Sequence, residues 1–517
     1  MAGSTKIALK GIEAVRADRL RTLGVRANAI AASAVTAPLA SKATEAHLRL
    51  LQWNILADGL ADDGFLVTDI LADWPVGEGM LPDSSGAALG LVEVAQQLAS
   101  AQGQPPEQRE ATLKAFADRF DTPASRANLS AVVDCQARLA RIEAEIVAAD
   151  ADIVALQELD HFVELGQRLA RHGYECGFEG AFGKYKPAHL AELPLGDINA
   201  YLGHLRDGGV AFAPNLPSNA RRFAMKRGRG EADDDGVALF WKSGVFELHR
   251  LEFLAFEGSA SAKKAKGIVK AVLARRTQGT GRKTMPGDGD QVHIIAAHLA
   301  SGDSVEEETE RLEKELFGSA QVLTTSTQAP EHCAGLREWF AASVAKAPTL
   351  LSLDANATPE IRAELGMLAP SVWSTLHSVG GVASVWDRWY ESSGIVRANA
   401  PRPIPVSTNK LRGPLSAQPR KIGLHAHYLI DHIYFGTSWL NHVAHVRPPL
   451  GHATAEEALS SLLPTLCNPS DHVPVIVDFA ILPGPTKGPA LGRHLPVGWP
   501  VLFMVSVCVA VTLKLLL

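Results

Sequence analysis

Six short polar islands interrupt the apolar runs of this 517-residue chain and carry the side chains that chemistry would need. They are WNIL at Trp53, LQELDHF at Leu156, IIAAHL at Ile294, LLSLDAN at Leu350, LIDHIYF at Leu429 and NPSDH at Asn468. Each sets an Asn, Glu, Asp or His at the end of a strand-like segment, where a layered domain exposes side chains to solvent. Glu158, Asp354 and Asp471 supply carboxylates, and Asn54 and Asn356 supply amides able to hold a ligand or a water. His298 and His472 can donate to phosphoryl oxygens, and Asp431 is the natural partner to fix one imidazole tautomer. Phosphate-ester cleavage needs an anionic transition state neutralised, a water positioned and a leaving oxygen released. Hard oxygen donors suit Mg²⁺, or Mn²⁺ in its place, for the first task. Gathered at one sheet edge, these residues would make a metal-dependent hydrolase.

The segments around the islands read as a layered α/β arrangement. Leu48 to Ile55, Ile153 to Leu156, Val237 to Trp241 and Pro348 to Leu353 are apolar strands, as are Leu429 to Phe435 and Pro474 to Phe479. Val269 to Arg275 and Val292 to Leu299 flank a Gly-, Lys- and Pro-rich turn and form a hairpin. Arg138 to Ala149 has helical spacing just before the Ile153 strand, and Val305 to Leu316 reads as an acidic helix. Residues 66–127 and 183–235 break the pattern as insertions, so 48–481 is one large domain behind a 1–47 extension. The extension is rich in Ala, Arg and Ser and fits a targeting segment or a surface helix. Lys410, Arg412, Arg420 and Lys421 fall in a loop before Asp431, suited to substrate phosphates.

With 46% hydrophobic and 21% charged residues the chain has ample material for a core. Lys plus Arg number 50 against 56 acidic residues, so a net charge of −6 gives no global attraction to nucleic acid. Any polyanion must be held by a local patch. Five scattered cysteines without a CxxC exclude a disulfide framework and a cysteine zinc site, and they fit a reducing compartment. His425, His427 and His432 raise a zinc site through their His-x-His spacing, but no cysteine lies nearby. A Pro- and Gly-rich linker, 482–498, leads to the apolar segment 499–517, whose only charge is Lys514. Such a segment is just long enough to span a membrane as a tail anchor, placing the domain on the cytosolic face of an intracellular membrane.

From Arg49 to Phe479, insertions apart, the chain resembles the endonuclease/exonuclease/phosphatase (DNase I-like) superfamily. The motifs are QWNILADGL, DIVALQELDHF with a downstream HGYECGF, then DDGVALFWK and LPTLCNPSDHVPVIVDF, and they most resemble the nocturnin, Angel and poly(A) deadenylase branch. The resemblance implies a four-layered α/β sandwich of two mixed β-sheets flanked by helices. It implies Glu158 as Mg²⁺ ligand with Asn54 and Asp471 in support, Asp354 orienting or deprotonating the water, and Asn356 steadying it. His472, its ring held by Asp431, would bond the scissile phosphate, with His298 on the other side. The implied substrate is RNA, for example a poly(A) end, or a nucleotide phosphate. The family's Gly-Asp-Phe-Asn is here Leu353-Asp354-Ala355-Asn356, and its Asn-Thr-His-Leu is Ala296-Ala297-His298-Leu299. Its Tyr-Thr-Thr-Trp-Lys is Val406-Ser407-Thr408-Asn409-Lys410, so adenine preference does not follow. Two alternatives stay open: a sphingomyelinase-like phospholipid or inositol polyphosphate hydrolase, and a non-catalytic membrane-tethered RNA or protein adaptor.

Overall fold

Strands buried on both faces read as continuous apolar runs, because each face meets its own hydrophobic layer. Leu48–Asn54 is such a strand, every residue of it buried. Its Leu48 and Leu50 face one core while Leu51 and Trp53 face another. The structure, a computed structural model, describes residues 41–42, 47–57, 65–66, 80–82, 88–101, 103–120, 132–159, 161–176, 213–214, 236–256, 268–276, 291–300, 309–324, 331–358, 371–392, 405–413, 422–447, 449–452, 455–459, 461–465 and 467–483. The chain divides into Met1–Leu482 and Pro483–Leu517. The expected tail anchor at 499–517 and nearly all of the 1–47 extension and the 183–235 insertion lie outside the described residues. Among the described residues no helix is long and apolar enough to cross a membrane.

Two mixed sheets stack face to face. The first runs Leu440–His445, Val475–Ile481, Leu48–Asn54, Ile153–Leu159, Gly236–Lys242, Tyr174–Cys176. Within it Leu48–Asn54 lies parallel to Ile153–Leu159 and antiparallel to Val475–Ile481. The second runs Glu331–Ala334, Ser319–Thr324, Phe246–Phe256, Ile268–Arg275, Gln291–His298, Thr349–Asp354, Asp431–Gly436, Val382–Ser384. Here Gln291–His298 is parallel to Thr349–Asp354, which is antiparallel to Asp431–Gly436. The expected hairpin of Ile268–Arg275 with Gln291–His298 is present, Lys270 opposite Ile295.

Three hydrophobic layers account for four structural ones. Leu139, Ile142 and Ile146 of the Cys135–Ala149 helix pack on Trp53, Leu156 and Ile476 of the first sheet. Leu50, Ile153 and Val477 meet Ala271, Ile294 and Ile433 between the sheets. Trp339 and Phe340 of the Gly335–Val344 helix cover Ile295, Leu351 and Tyr434 on the far side. This is the four-layered α/β sandwich expected from the motifs. Burial at roughly 25 cal/mol per Å² of apolar surface makes these layers the main favourable contribution to folding.

Local signals set the boundaries. Asp134 accepts a hydrogen bond from the Ala137 amide at 2.8 Å and so caps the Cys135–Ala149 helix, which closes at Asp150 in the left-handed region, φ 52°. The acidic helix expected at Val305–Leu316 ends in a five-residue π-helix, Leu312–Leu316, and its residues 305–308 lie outside the described set. The loop expected around Lys410 is instead a strand, Thr408–Arg412, paired with His425–Tyr428 and Phe65–Leu66. Leu91–Ala101 and Pro106–Phe120, from the first insertion, bury Val94, Leu98 and Phe116 against Leu66 and Leu411 of that small sheet. The insertion therefore backs the basic strand.

Candidate active site

Along each inward-facing row the side chains change from apolar to polar at the same end of the sandwich. Leu48 and Leu50 give way to Gln52 and Asn54, Ala155 to Gln157, Ile294 and Ala296 to His298, Leu350 to Ser352 and Asp354, and Ile433 to Asp431. The registers align these ends: His298 pairs with Asp354, Asp354 with Asp431, and Asn54 with Gln157. All are buried, so every charge must find a partner.

His472 anchors one half of the site. Its Nδ1 lies 2.6 Å from Asp431 Oδ2, and Gln52 Nε2 donates to Asp431 Oδ1 at 2.7 Å. The Ser407 hydroxyl also serves that carboxylate. Burial works to raise Asp431, but the His472 cation and these bonds hold it below the usual carboxylate range. Burial likewise works to lower His472, yet Asp431 and Asp471 beside it carry it up to about 9. His472 is therefore an imidazolium at neutral pH, with Nε2 4.0 Å from Asp471 Oδ2. Asp471 is ion-paired with Lys410. Burial opposes its ionisation, but the Lys410, His472 and Arg412 charges hold its carboxyl far below the ordinary value.

Asp354 is the centre of the other half. Asn54 Nδ2 donates to its Oδ2 at 2.9 Å and the Asn356 amide to its Oδ1 at 2.9 Å. Burial and the neighbouring Asp431 charge push it up to about 6, against the pull of His472. His298 Nε2 lies between two carboxylates, 3.5 Å from Asp354 Oδ2 and 3.9 Å from Glu158 Oε1, with Asn356 Nδ2 at 3.3 Å. Only 2% exposed, His298 bridges Glu158 and Asp354.

Glu158 reaches this position through a distortion. Regular alternation would send its side chain with Leu156 toward the helices. Instead the pairing with Gly236–Lys242 shifts register between Leu156 and Leu159, and Glu158 adopts φ 56°. A bulge with a non-glycine residue in the left-handed region costs on the order of 1 kcal/mol and re-aims one side chain. Leu56 at φ 59° and Asn356 at φ 46° repeat the device in the two adjoining loops. Glu158 Oε2 then accepts from the Ala57 amide at 3.3 Å.

The donor types fit a hard divalent cation: Glu158 offers a carboxylate and Asn54 a side-chain amide oxygen, which here accepts from the Leu56 amide at 3.0 Å, with no thiolate among them. One oxygen of Asp354, one of Asp431 and a nitrogen of His472 also lie within 4.8 Å of one another. Both Asp431 oxygens are already engaged, one by His472 and one by Gln52, so Asp431 orients the His472 ring. Of the predicted site residues, Asn54, Glu158, His298, Asp354 and Asn356 form one bonded group and Asp431, Asp471, His472 and Lys410 the other. Arg412 stacks its guanidinium 4.1 Å over the Phe65 ring.

Several residues that the sequence reading passes over support the site. Gln52 orients Asp431, and its signal is a polar residue inside an apolar strand. Ser470 donates to the Asn54 carbonyl at 2.6 Å, tying the two segments together. Arg138, on the helix face turned inward, donates to the carbonyls of Ile55 at 2.6 Å and Pro469 at 2.8 Å, and also to that of Leu56. The histidines at 425 and 427 gain a third, His452, but His427 Nε2 and His452 Nδ1 are 2.8 Å apart. That separation is a hydrogen bond between rings.

No protein-family model matches the sequence, and no curated protein matches it. Among solved structures the chain is similar to the human Nocturnin catalytic domain with bound sulfate anion, at 14% identity over 86% of this chain and 97% of that one, TM-score 0.37. It is similar to ANGEL2, a 2',3'-cyclic phosphatase, at 14% identity over 85% and 96%, TM-score 0.42. A third is an endonuclease/exonuclease/phosphatase from Beutenbergia cavernae, at 14% identity over 67% of each chain, TM-score 0.30.

Proposed function

We propose that this chain is a Mg²⁺-dependent phosphoester hydrolase acting on RNA ends or nucleotide phosphates. The observation that carries the reading is the opposition of two groups at one sheet edge. His472 is a buried cation oriented by Asp431, and Asp354 is a carboxylate pushed up to about 6. A cationic donor stabilises phosphoryl oxygens as negative charge grows, and a carboxylate poised near neutrality accepts a proton from attacking water. Asn54 and Asn356 fix the Asp354 oxygens, and His298 Nε2 lies between Asp354 and Glu158. Glu158 with Asn54 would hold the metal, which when bound supplies further neutralisation of phosphate charge. Asp471, saturated by Lys410, positions that lysine next to His472.

The adaptor alternative has no observation in its favour. The altered neighbours Ala296, Ala297 and Ala355 are at most 1% exposed, and the polar groups beside them keep their hydrogen bonds. The test is a panel: full-length protein with Mg²⁺ and labelled oligo(A), sphingomyelin, an inositol polyphosphate and NADPH. We expect oligo(A) or the nucleotide to be cleaved, and lipid cleavage with RNA untouched would replace this reading. We also propose that the apolar 499–517 segment tethers the domain to the cytosolic face of an intracellular membrane. Loss of membrane sedimentation on its deletion is the expected result.

A further inference from the structure

A polar atom buried without a partner marks a place where a folded protein still has something to bind. Among the described residues, three such atoms lie on facing rows between the two sheets: Gln52 Oε1, Gln157 Nε2 and Ser352 Oγ, each residue at 0% exposure. Gln52 and Gln157 follow Leu50 and Ala155 on the inward rows of the first sheet, and Ser352 follows Leu350 on the inward row of the second. Ser352 is two residues before Asp354 and pairs with Ile433, itself two residues after Asp431. It therefore sits one diagonal step from the carboxylate that Gln52 reaches across the interior at 2.7 Å.

The orientation of both amides follows from the Asp431 charge. An ionised carboxylate only accepts, so Gln52 must turn its Nε2 toward it. The same Nε2 donates to Gln157 at 2.9 Å, so Gln157 must present its Oε1. What is left over is an acceptor on Gln52 and a donor on Gln157, and neither end can be exchanged without setting an oxygen against Asp431. Ser352 adds a hydroxyl able to do either. One acceptor, one donor and one group of both kinds make a set that a single water satisfies.

We propose that Gln52, Gln157 and Ser352 hold a buried water beneath the catalytic pair, and that Ser352 is a positioning residue acting through this water on Gln52, and so on Asp431 and His472. The effect on rate rests on the reading of the site as a phosphoester hydrolase, whereas the water does not depend on it. A water donating to Gln52 Oε1 makes the reversed amide costly, so it keeps the donor on Asp431 and the His472 ring in place.

The test is a crystal structure of the full-length protein at a resolution that shows ordered water, joined to steady-state kinetics of wild type, Ser352→Ala, Gln52→Met and the double variant on whichever panel substrate wild type cleaves. One water within hydrogen-bonding distance of Gln52 Oε1, Gln157 Nε2 and Ser352 Oγ is expected. Ser352→Ala should lower kcat about fivefold with KM within about twofold, the scale of one buried hydrogen bond. The double variant should match Gln52→Met, because a residue acting through Gln52 then has nothing left to act on. An interior with no water on these three atoms overturns the site, and that result needs no variant to fold. An unchanged kcat for Ser352→Ala, or the same fall with and without Gln52, overturns the positioning role. Wild type that cleaves none of the phosphate esters overturns the hydrolase reading and the positioning role with it, while the crystal structure still decides the water.

Discussion

Asp431 and His472 come from opposite sides of the sandwich and meet at 2.6 Å with neither more than 2% exposed. Such a pair fixes the orientation of the ring and favours its cationic form. His472→Ala should lower kcat by about a hundredfold or more, since loss of one transition-state donor has that scale. Circular dichroism should report an intact fold. A variant with near-normal turnover would remove His472 from the chemistry.

Activity should follow a bell against pH. Asp354 serves as a carboxylate, so the rate rises as it deprotonates through about 6. His472 serves as a cation, so the rate falls as it loses its proton through about 9. The measurement is kcat/KM from pH 5 to 10 at saturating Mg²⁺. A limb that stays flat above pH 9 contradicts a protonated His472.

Metal binding should depend on one side chain. Isothermal titration of Mg²⁺ or Mn²⁺ into wild type should give a site that Glu158→Gln weakens by at least about tenfold, because a neutral amide replaces a carboxylate donor. Equal affinity in the two proteins would move the metal elsewhere.

Gln52→Met should preserve volume and remove the donor to Asp431 Oδ1. We expect kcat to fall about tenfold with KM unchanged and Tm within a few degrees, the loss of one hydrogen bond to a buried charge. A rise in KM with kcat unchanged would instead assign Gln52 to substrate binding.

Arg138→Leu should cost about 3 kcal/mol in urea unfolding, because three buried carbonyls lose a charged donor. Activity should drop as well, since those carbonyls belong to loops that follow Asn54 and precede Asp471. Full stability would mean that solvent replaces the guanidinium.

The strand ends were legible because each polar island follows an apolar run that must be buried, which leaves its last residue at a sheet edge. The direction of Glu158 was not legible. The bulge that aims it has Gln157 and Glu158 where a left-handed turn would advertise itself with Gly or Asn, so only pairing with Gly236–Lys242 reveals it. The Lys410 strand is hidden for another reason. Ser407, Thr408 and Asn409 are buried polar residues, and their partners, among them the Asp471 carbonyl for Thr408, lie far along the chain. Local composition there reads as a loop while long-range hydrogen bonds make it a strand.

Each sheet supplies only part of the reactive set. Asn54 and Glu158 belong to one sheet and His298, Asp354 and Asp431 to the other, with His472 reaching across. A slight loosening of the sandwich would leave both sheets folded and the catalyst dismantled. Deuterium uptake at Gln52, Ser352 and Asp431 should therefore track inactivation on warming more closely than does the loss of strand content.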